Sequence, residues 1–97
     1  MFVQLRDGAP AVQDVENLRQ LHVDLTDVDD ETAGAAISSA GLGILDGEHV
    51  WLEIPALRAA GRDAEDWRAA FEDMITYAAR RGWVDGTRVR AHVVRQV

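Results

Sequence analysis

The sequence predicts an α+β fold built from two helix–β-hairpin units with short antiparallel sheets. Two Asp-Gly pairs, at 46–47 and 85–86, each lie between short segments rich in apolar residues, which is a strong hairpin signal. Before the second pair, the segment 63–81 repeats apolar residues every three or four positions, as an amphipathic helix does. A length of 97 residues fits one domain spanning 1–97.

The N-terminal quarter contains one clear strand and one ambiguous segment. Residues 2–6 alternate apolar and polar side chains and end at the turn-forming residues 7–10, which predicts a strand and a turn. The segment 11–25 fits both the helical and the strand period, so both remain open for it. A helix over about 11–20 and a strand over about 21–25 accommodate the two patterns.

The next segment has the composition of a helix that precedes a hairpin. Acidic residues at 27–31 stand before small residues at 32–40, and negative charge is favourable at a helix N-terminus. Gly41 and Gly43 are expected to end this helix. The hairpin over 44–54 follows.

Two further helices are predicted before the second hairpin. Pro55 suits the first turn of a short helix, with Leu57 and Ala60 facing inward and Gly61 ending it. Asp63 is expected to be the N-cap of a long helix that ends near residue 81. The apolar face of that helix comprises Trp67, Phe71, Met74, Ile75 and Ala78.

The two units form an internal repeat, over about 27–54 and 66–93, with an offset of 39 residues between the hairpins. A type I′ turn would place Leu45 opposite Glu48. One face of each hairpin is then apolar, and the other carries residue types typical of interaction surfaces. The candidate interaction residues are His49, Trp51, Trp83, Arg88, Arg90 and His92. We expect Trp83 to stack on Arg88, or alternatively to pack against the preceding helix.

Charge divides the chain into unlike halves. Residues 1–53 hold 2 arginines and 11 acids, a net charge of −9, whereas residues 54–97 hold 8 arginines and 6 acids, a net charge of +2. Lysine is absent, so every basic side chain apart from histidine is an arginine. Such asymmetry favours an electrostatic fit, either within one chain or head-to-tail between copies of the chain.

Several classes of site and location are disfavoured. There is no cysteine, which excludes disulfides and thiolate chemistry. No apolar run reaches the ~18 residues of a membrane-spanning helix, and no signal-peptide pattern precedes residue 7, so we expect a cytoplasmic protein without a membrane partner. A calcium loop starting at Asp27 would place Thr32 at position 6, where glycine is required. We therefore expect no metal and no cofactor.

Catalysis and nucleic-acid binding are weaker alternatives. Ser38 and Ser39 lack a nucleophile-elbow motif, so the chain is interpreted as a non-enzyme unless His92 meets a carboxylate in a deep pocket. A helix followed by an arginine-bearing hairpin also resembles the layout of a winged helix. The arginines available to phosphates would be Arg80, Arg81, Arg88, Arg90 and Arg95, but a net charge of −7 disfavours this function.

The C-terminal part resembles the tail of a family of small, uncharacterised actinobacterial proteins. The resemblance spans about 27 residues and implies a fold rather than a site, because the shared positions are mostly core and turn residues. The shared residues are Trp67, Phe71, Met74, Tyr77-Ala78, Gly82-Trp83, Asp85 and Arg90-Ala91-His92-Val93.

The combined pattern favours a small cytosolic protein–protein interaction module. A short chain buries only a limited core, and the repeat and the divided charge both suit self-association. We expect a homo-oligomer, most simply a dimer, or a complex with another protein. The alternatives are a winged-helix-like nucleic-acid-binding protein and a small enzyme or ligand-binding domain.

Overall fold

Seven β-strands and three α-helices make up most of residues 1–96, which are the residues that this computed structural model describes. The radius of gyration is 12.7 Å, close to the ~12.5 Å of a single domain of this length. In chain order the elements are β1 (Phe2–Arg6), β2 (Ala9–Gln13), β3 (His22–Thr26), α1 (Asp30–Ser39), β4 (Gly43–Asp46), β5 (His49–Glu53), α2 (Ile54–Ala60), α3 (Glu65–Arg80), β6 (Val84–Asp85) and β7 (Arg88–Gln96).

All the strands belong to one mixed sheet, in the order β2-β1-β3-β7-β5-β4, with β6 paired to β7 beside that path. β3 is parallel to β1 and β7, and the remaining pairs are antiparallel. β7 is the central strand. The first half of β7 pairs with β5 on one side and with β6 on the other. The second half pairs with β3, on the same side as β6. The mixed α and β class is confirmed, but the prediction of separate short antiparallel sheets was wrong.

Residues 9–13 form a strand, so the predicted helix over 11–20 was wrong. Asp7 and Gly8 have φ angles of 56° and 75°, the left-handed pair of a type I′ turn, which reverses the chain directly after β1. Pro10 is tolerated because β2 is an edge strand, where a missing N–H need not interrupt the sheet. The predicted strand over 21–25 is confirmed as β3.

The predicted 46–47 hairpin forms with a different turn. Asp46 pairs with His49, so the loop residues are 47 and 48, and Gly47 has a φ of 62°. Glu48, in the second loop position, is not among the described residues with positive φ, so the turn is of type II′; type I′ requires positive φ at both loop positions. Leu45 consequently lies opposite Val50, and the predicted pairing of Leu45 with Glu48 was wrong.

The second hairpin has the same two-residue loop, with Asp85 paired to Arg88 and a φ of 61° at Gly86. Its strands are unequal, because β6 has 2 residues and β7 has 9. The two hairpins also occupy different places in the sheet, one at its edge and one at its centre. The predicted helix–hairpin repeat is therefore not confirmed at the level of the fold.

The helices begin in different ways. The carboxylate of Asp29 caps α1 and accepts a hydrogen bond from the Thr32 N–H at 2.7 Å. α3 instead begins after Ala64, which has no side-chain cap. The prediction of Asp63 as N-cap was wrong, because its carboxylate forms an ion pair with Arg68 at 2.6 Å.

One hydrophobic core lies between the sheet and the three helices. Trp67 and Phe71 of α3 stack at 5.2 Å between ring centroids, and the predicted apolar face of α3 is confirmed. The Trp67 indole N–H donates to the Val15 carbonyl at 2.8 Å and thereby ties the loop 14–21 to α3. Leu57 of α2 is fully buried as predicted, whereas Ala60 is exposed and that prediction was wrong. The buried strand residues are Val3, Leu5, Val23, Leu25, Val50, Leu52, Val89 and Ala91.

Candidate functional site

Within residues 1–96, the three helices pack against one side of the sheet only. Successive residues of a strand point to opposite faces, so those that alternate with the core residues point away from the helices. None of these outward residues is fully buried, whereas the inward residues of β1, β3, β5 and the first half of β7 are. We call the outward side the open face. It is the surface on which a ligand or partner can contact the sheet.

All three histidines of the chain lie in one row across the open face. His22 of β3 is opposite His92 of β7, and His92 is opposite His49 of β5. Phe2 of β1 extends the row, with its ring 4.9 Å from the His22 ring and nearly parallel to it. The rings of His22 and His92 are 5.8 Å apart. The row is therefore a stack of flat rings rather than a convergent set of ligands.

A second row runs beside the histidines and contains both open-face tryptophans. Trp51 is opposite Arg90, and the Arg90 N–H donates to the Trp83 carbonyl at 2.7 Å. Arg90 thus has a tryptophan on each neighbouring segment of the sheet. Ile44 lies opposite Trp51 on the edge strand and is 46% exposed. This second row carries the large apolar surface of the open face.

The Trp83 ring is held by α3 rather than by the hairpin. The Arg81 guanidinium lies 5.3 Å from the Trp83 ring centroid, and Tyr77 meets the ring edge-on at 6.2 Å. The predicted stacking on Arg88 was wrong, because Arg88 forms an ion pair with Glu53 at 2.6 Å. The alternative, packing of Trp83 against the preceding helix, is what the structure contains.

A small cavity of 130 Å³ opens between the two rows. It lies along β7 between the start of β6 and the start of β3, where the two strands on that side of β7 leave a gap. Its lining combines one guanidinium, two imidazoles and two apolar side chains. These are Arg90, His49, His92, Trp83 and Leu21.

The electrostatic surroundings of the histidine row differ from one ring to the next. Partial burial of His22 lowers its pKa below the ordinary value, and the neighbouring His92 lowers it further. Asp24 opposes this shift, and the N-terminal amine adds to it. At neutral pH the His22 imidazole is therefore uncharged, and its stacking with Phe2 is that of two neutral rings.

The six candidate residues all lie on the open face, as the alternation within β5 and β7 predicted. Four of them line the cavity, Trp51 flanks it, and Arg88 is separated from it by its bond to Glu53. Phe2 and His22 share the face but were not among the candidates. They lie on β1 and β3, whose places in the sheet depend on parallel pairing, which no local pattern indicates.

The arginines considered for nucleic-acid binding do not form one basic surface. Arg95 contacts Asp30 at 2.5 Å on the helical side of the sheet. Arg88 is paired with Glu53, and Arg81 lies over Trp83. Most of these charges thus meet the protein's own acids or aromatic rings, which weakens the electrostatic basis of that alternative.

The geometry also bears on metal binding and catalysis. In the chain up to Gln96, no group of three or more His, Asp or Glu side chains is arranged to hold a metal ion. The cavity contains His92 but no carboxylate in its described lining, so the acid–base pair considered for catalysis is not assembled there.

Comparison with known proteins gives no match, so the function has to be inferred from the fold and the site. No family model matches this chain, and no curated protein or solved structure matches it either. None of the helices in residues 1–96 combines the length and the apolar character required to cross a membrane.

Proposed function

We propose that the protein is a small cytosolic interaction module that self-associates through its open face. The observation that carries the proposal is the placement of all three helices on one side of the sheet. The other side presents Trp51, Arg90 and the histidine row. Tryptophan and arginine are enriched at the energetic centres of protein interfaces.

The occupant that fits this surface best is a second copy of the chain. A two-fold interface brings the same patch of both copies together, so the patch must carry complementary charges. The open face does so, because Arg90 lies within the same sheet surface as Asp24, Asp46 and Glu53. A partner of uniform charge would leave part of this set unpaired.

The size of the face indicates how strong such a dimer is. Six strands at about 4.8 Å and five residues at about 3.3 Å give a flat area of about 480 Å². A standard-size interface buries about 800 Å² on each partner. The open face by itself is smaller, so we expect a weak dimer with a dissociation constant in roughly the micromolar range.

Sedimentation velocity over a wide range of protein concentrations tests the proposal. We expect the sedimentation coefficient to rise from that of a monomer to that of a dimer. Trp51→Thr should shift the transition to at least about tenfold higher concentration, because it removes the central ring while keeping a residue of high strand propensity at that position.

The control is Ala69→Gln, at an exposed position in the N-terminal half of α3, on the helical side of the sheet. It should leave the transition unchanged. Circular dichroism establishes that both variants fold. A chain that stays monomeric at all concentrations rules out self-association, and an equal effect of both variants assigns it to another surface.

A further inference from the structure

We propose that the 130 Å³ cavity lined by Leu21, His49, Trp83, Arg90 and His92 binds the carboxylate group of a small organic acid. The Arg90 guanidinium would hold the carboxylate, the imidazoles would donate to it, and the two apolar side chains would contact its hydrocarbon part. This inference does not depend on self-association, because the cavity lies within one copy of the chain.

The charge of the cavity suits a singly charged anion. Arg90 has no carboxylate within ion-pair distance among residues 1–96, whereas Arg58, Arg62, Arg68, Arg88 and Arg95 each have one. A guanidinium matches the two oxygens of a carboxylate in a forked pair of hydrogen bonds. One fixed positive charge balances a monocarboxylate but only part of the charge on a phosphate dianion.

The walls of the cavity favour an organic anion over an inorganic one. Trp83 and Leu21 present apolar surface, which inorganic phosphate or sulfate cannot use. The volume equals that of about four water molecules, or a solute of roughly four to six non-hydrogen atoms. Short-chain monocarboxylates such as butyrate fit both conditions.

The cavity walls are held in place by contacts outside it. The Trp83 ring contacts both the Arg81 guanidinium and Tyr77, and the Trp83 backbone N–H donates to the Ala78 carbonyl at 2.9 Å. His92 is stacked against His22, which in turn stacks on Phe2. Groups that are already positioned lose little freedom on binding, which favours affinity for a small ligand.

The test is a titration of the ¹⁵N-labelled protein with butyrate and with inorganic phosphate, followed by NMR at neutral pH and constant ionic strength. We expect saturable butyrate shifts centred on the Trp83 indole N–H and the residues of β7. Phosphate should bind at least about tenfold more weakly. An absence of saturable binding, or equal affinity for the two anions, would overturn the proposal.

Variants identify the group that holds the anion. Arg90→Gln should weaken butyrate binding by at least about tenfold, because it removes the charged donor. Arg80→Gln makes the same change of charge at the exposed C-terminal end of α3 and should leave binding unchanged. If Arg90→Gln does not fold, Arg90→Lys retains the charge but not the fork, and binding that is unaffected by it contradicts the forked contact.

The result is distinguishable from the outcome for self-association. Butyrate affinity is read at protein concentrations where sedimentation shows a monomer, so a change at the proposed interface does not affect it. Binding without dimer formation supports the cavity site alone. Dimer formation without saturable butyrate binding supports the proposed interface and overturns the carboxylate site.

Discussion

Replacing Gly61 by alanine is expected to destabilise the protein through one steric contact. Gly61 ends α2 with φ −81° and ψ −155°, which any residue can adopt, so its backbone does not require glycine. A Cβ atom at this position would lie 1.9 Å from Cη2, 2.2 Å from Cζ2 and 2.4 Å from Cζ3 of Trp67. The ring must therefore move if the methyl group is present.

The cost follows from what Trp67 loses when it moves. Its side chain is only 5% exposed, stacks on Phe71 and donates to the Val15 carbonyl at 2.8 Å. Overpacking a core costs about 1–3 kcal/mol, and loss of the whole Trp side chain costs about 3–5 kcal/mol. We expect Gly61→Ala to lower the free energy of unfolding by about 3 kcal/mol, or the Tm by roughly 12–24 °C.

Denaturant unfolding followed by circular dichroism measures this cost in a double-mutant cycle with Trp67→Leu. Leucine lacks the three clashing atoms, so Gly61→Ala should cost less than about 0.5 kcal/mol in that background. The control is Gly34→Ala within α1, where the nearest atoms to the new Cβ are 3.7 Å away and the change should stabilise by about 0.5–1 kcal/mol. An equal cost of Gly61→Ala in both backgrounds would refute the steric explanation.

Three further changes have defined outcomes. A Cβ at Gly43, whose φ is 156°, would lie 2.0 Å from the Trp51 carbonyl oxygen. Gly43→Ala should therefore lower the free energy of unfolding by about 2–3 kcal/mol. A loss below about 0.5 kcal/mol would contradict the clash. Asp29→Ala should cost about 1 kcal/mol because it removes the α1 cap, whereas Asp63→Ala should change stability by less than about 0.5 kcal/mol in the same denaturant assay. The pKa of His22 is lowered by folding, so the unfolded chain binds more protons and stability should fall as pH drops below about 6.5 toward the lowered value. That slope should be smaller in His22→Gln, and identical slopes in both proteins would exclude His22 as its source.

Patterns within a short segment predicted α1 and α3 correctly, but not the segment 11–20, where the predicted helix is replaced by β2 and a loop. The spacing of Trp67 and Phe71 placed α3, and the acids before residue 32 placed α1, because helix formation depends on contacts three and four residues apart. The start of α3 was misplaced because Asp63 can either cap the helix or pair with Arg68. That choice depends on side-chain geometry that composition does not specify.

Pairing between distant segments could not be predicted in the same way. His22 and His92 are neighbours in the sheet although 70 positions separate them in the chain. β3 and β7 are parallel, so no turn motif connects them directly. The sequence patterns therefore predict separate short sheets where the structure has one. The outward direction of Trp51 and Arg90 was predictable from alternation alone, but the addition of Phe2 and His22 to that face required the strand order.

The central position of β7 has a consequence for synthesis of the chain. β7 is translated after the other six strands, yet it is the strand that joins β3 to β5. Until residues 88–96 leave the ribosome, β3 and β5 each expose an unpaired edge, and such edges readily pair with other chains. The nascent protein must therefore close its sheet from the middle once β7 has emerged, and the speed of that insertion determines how long aggregation competes with folding.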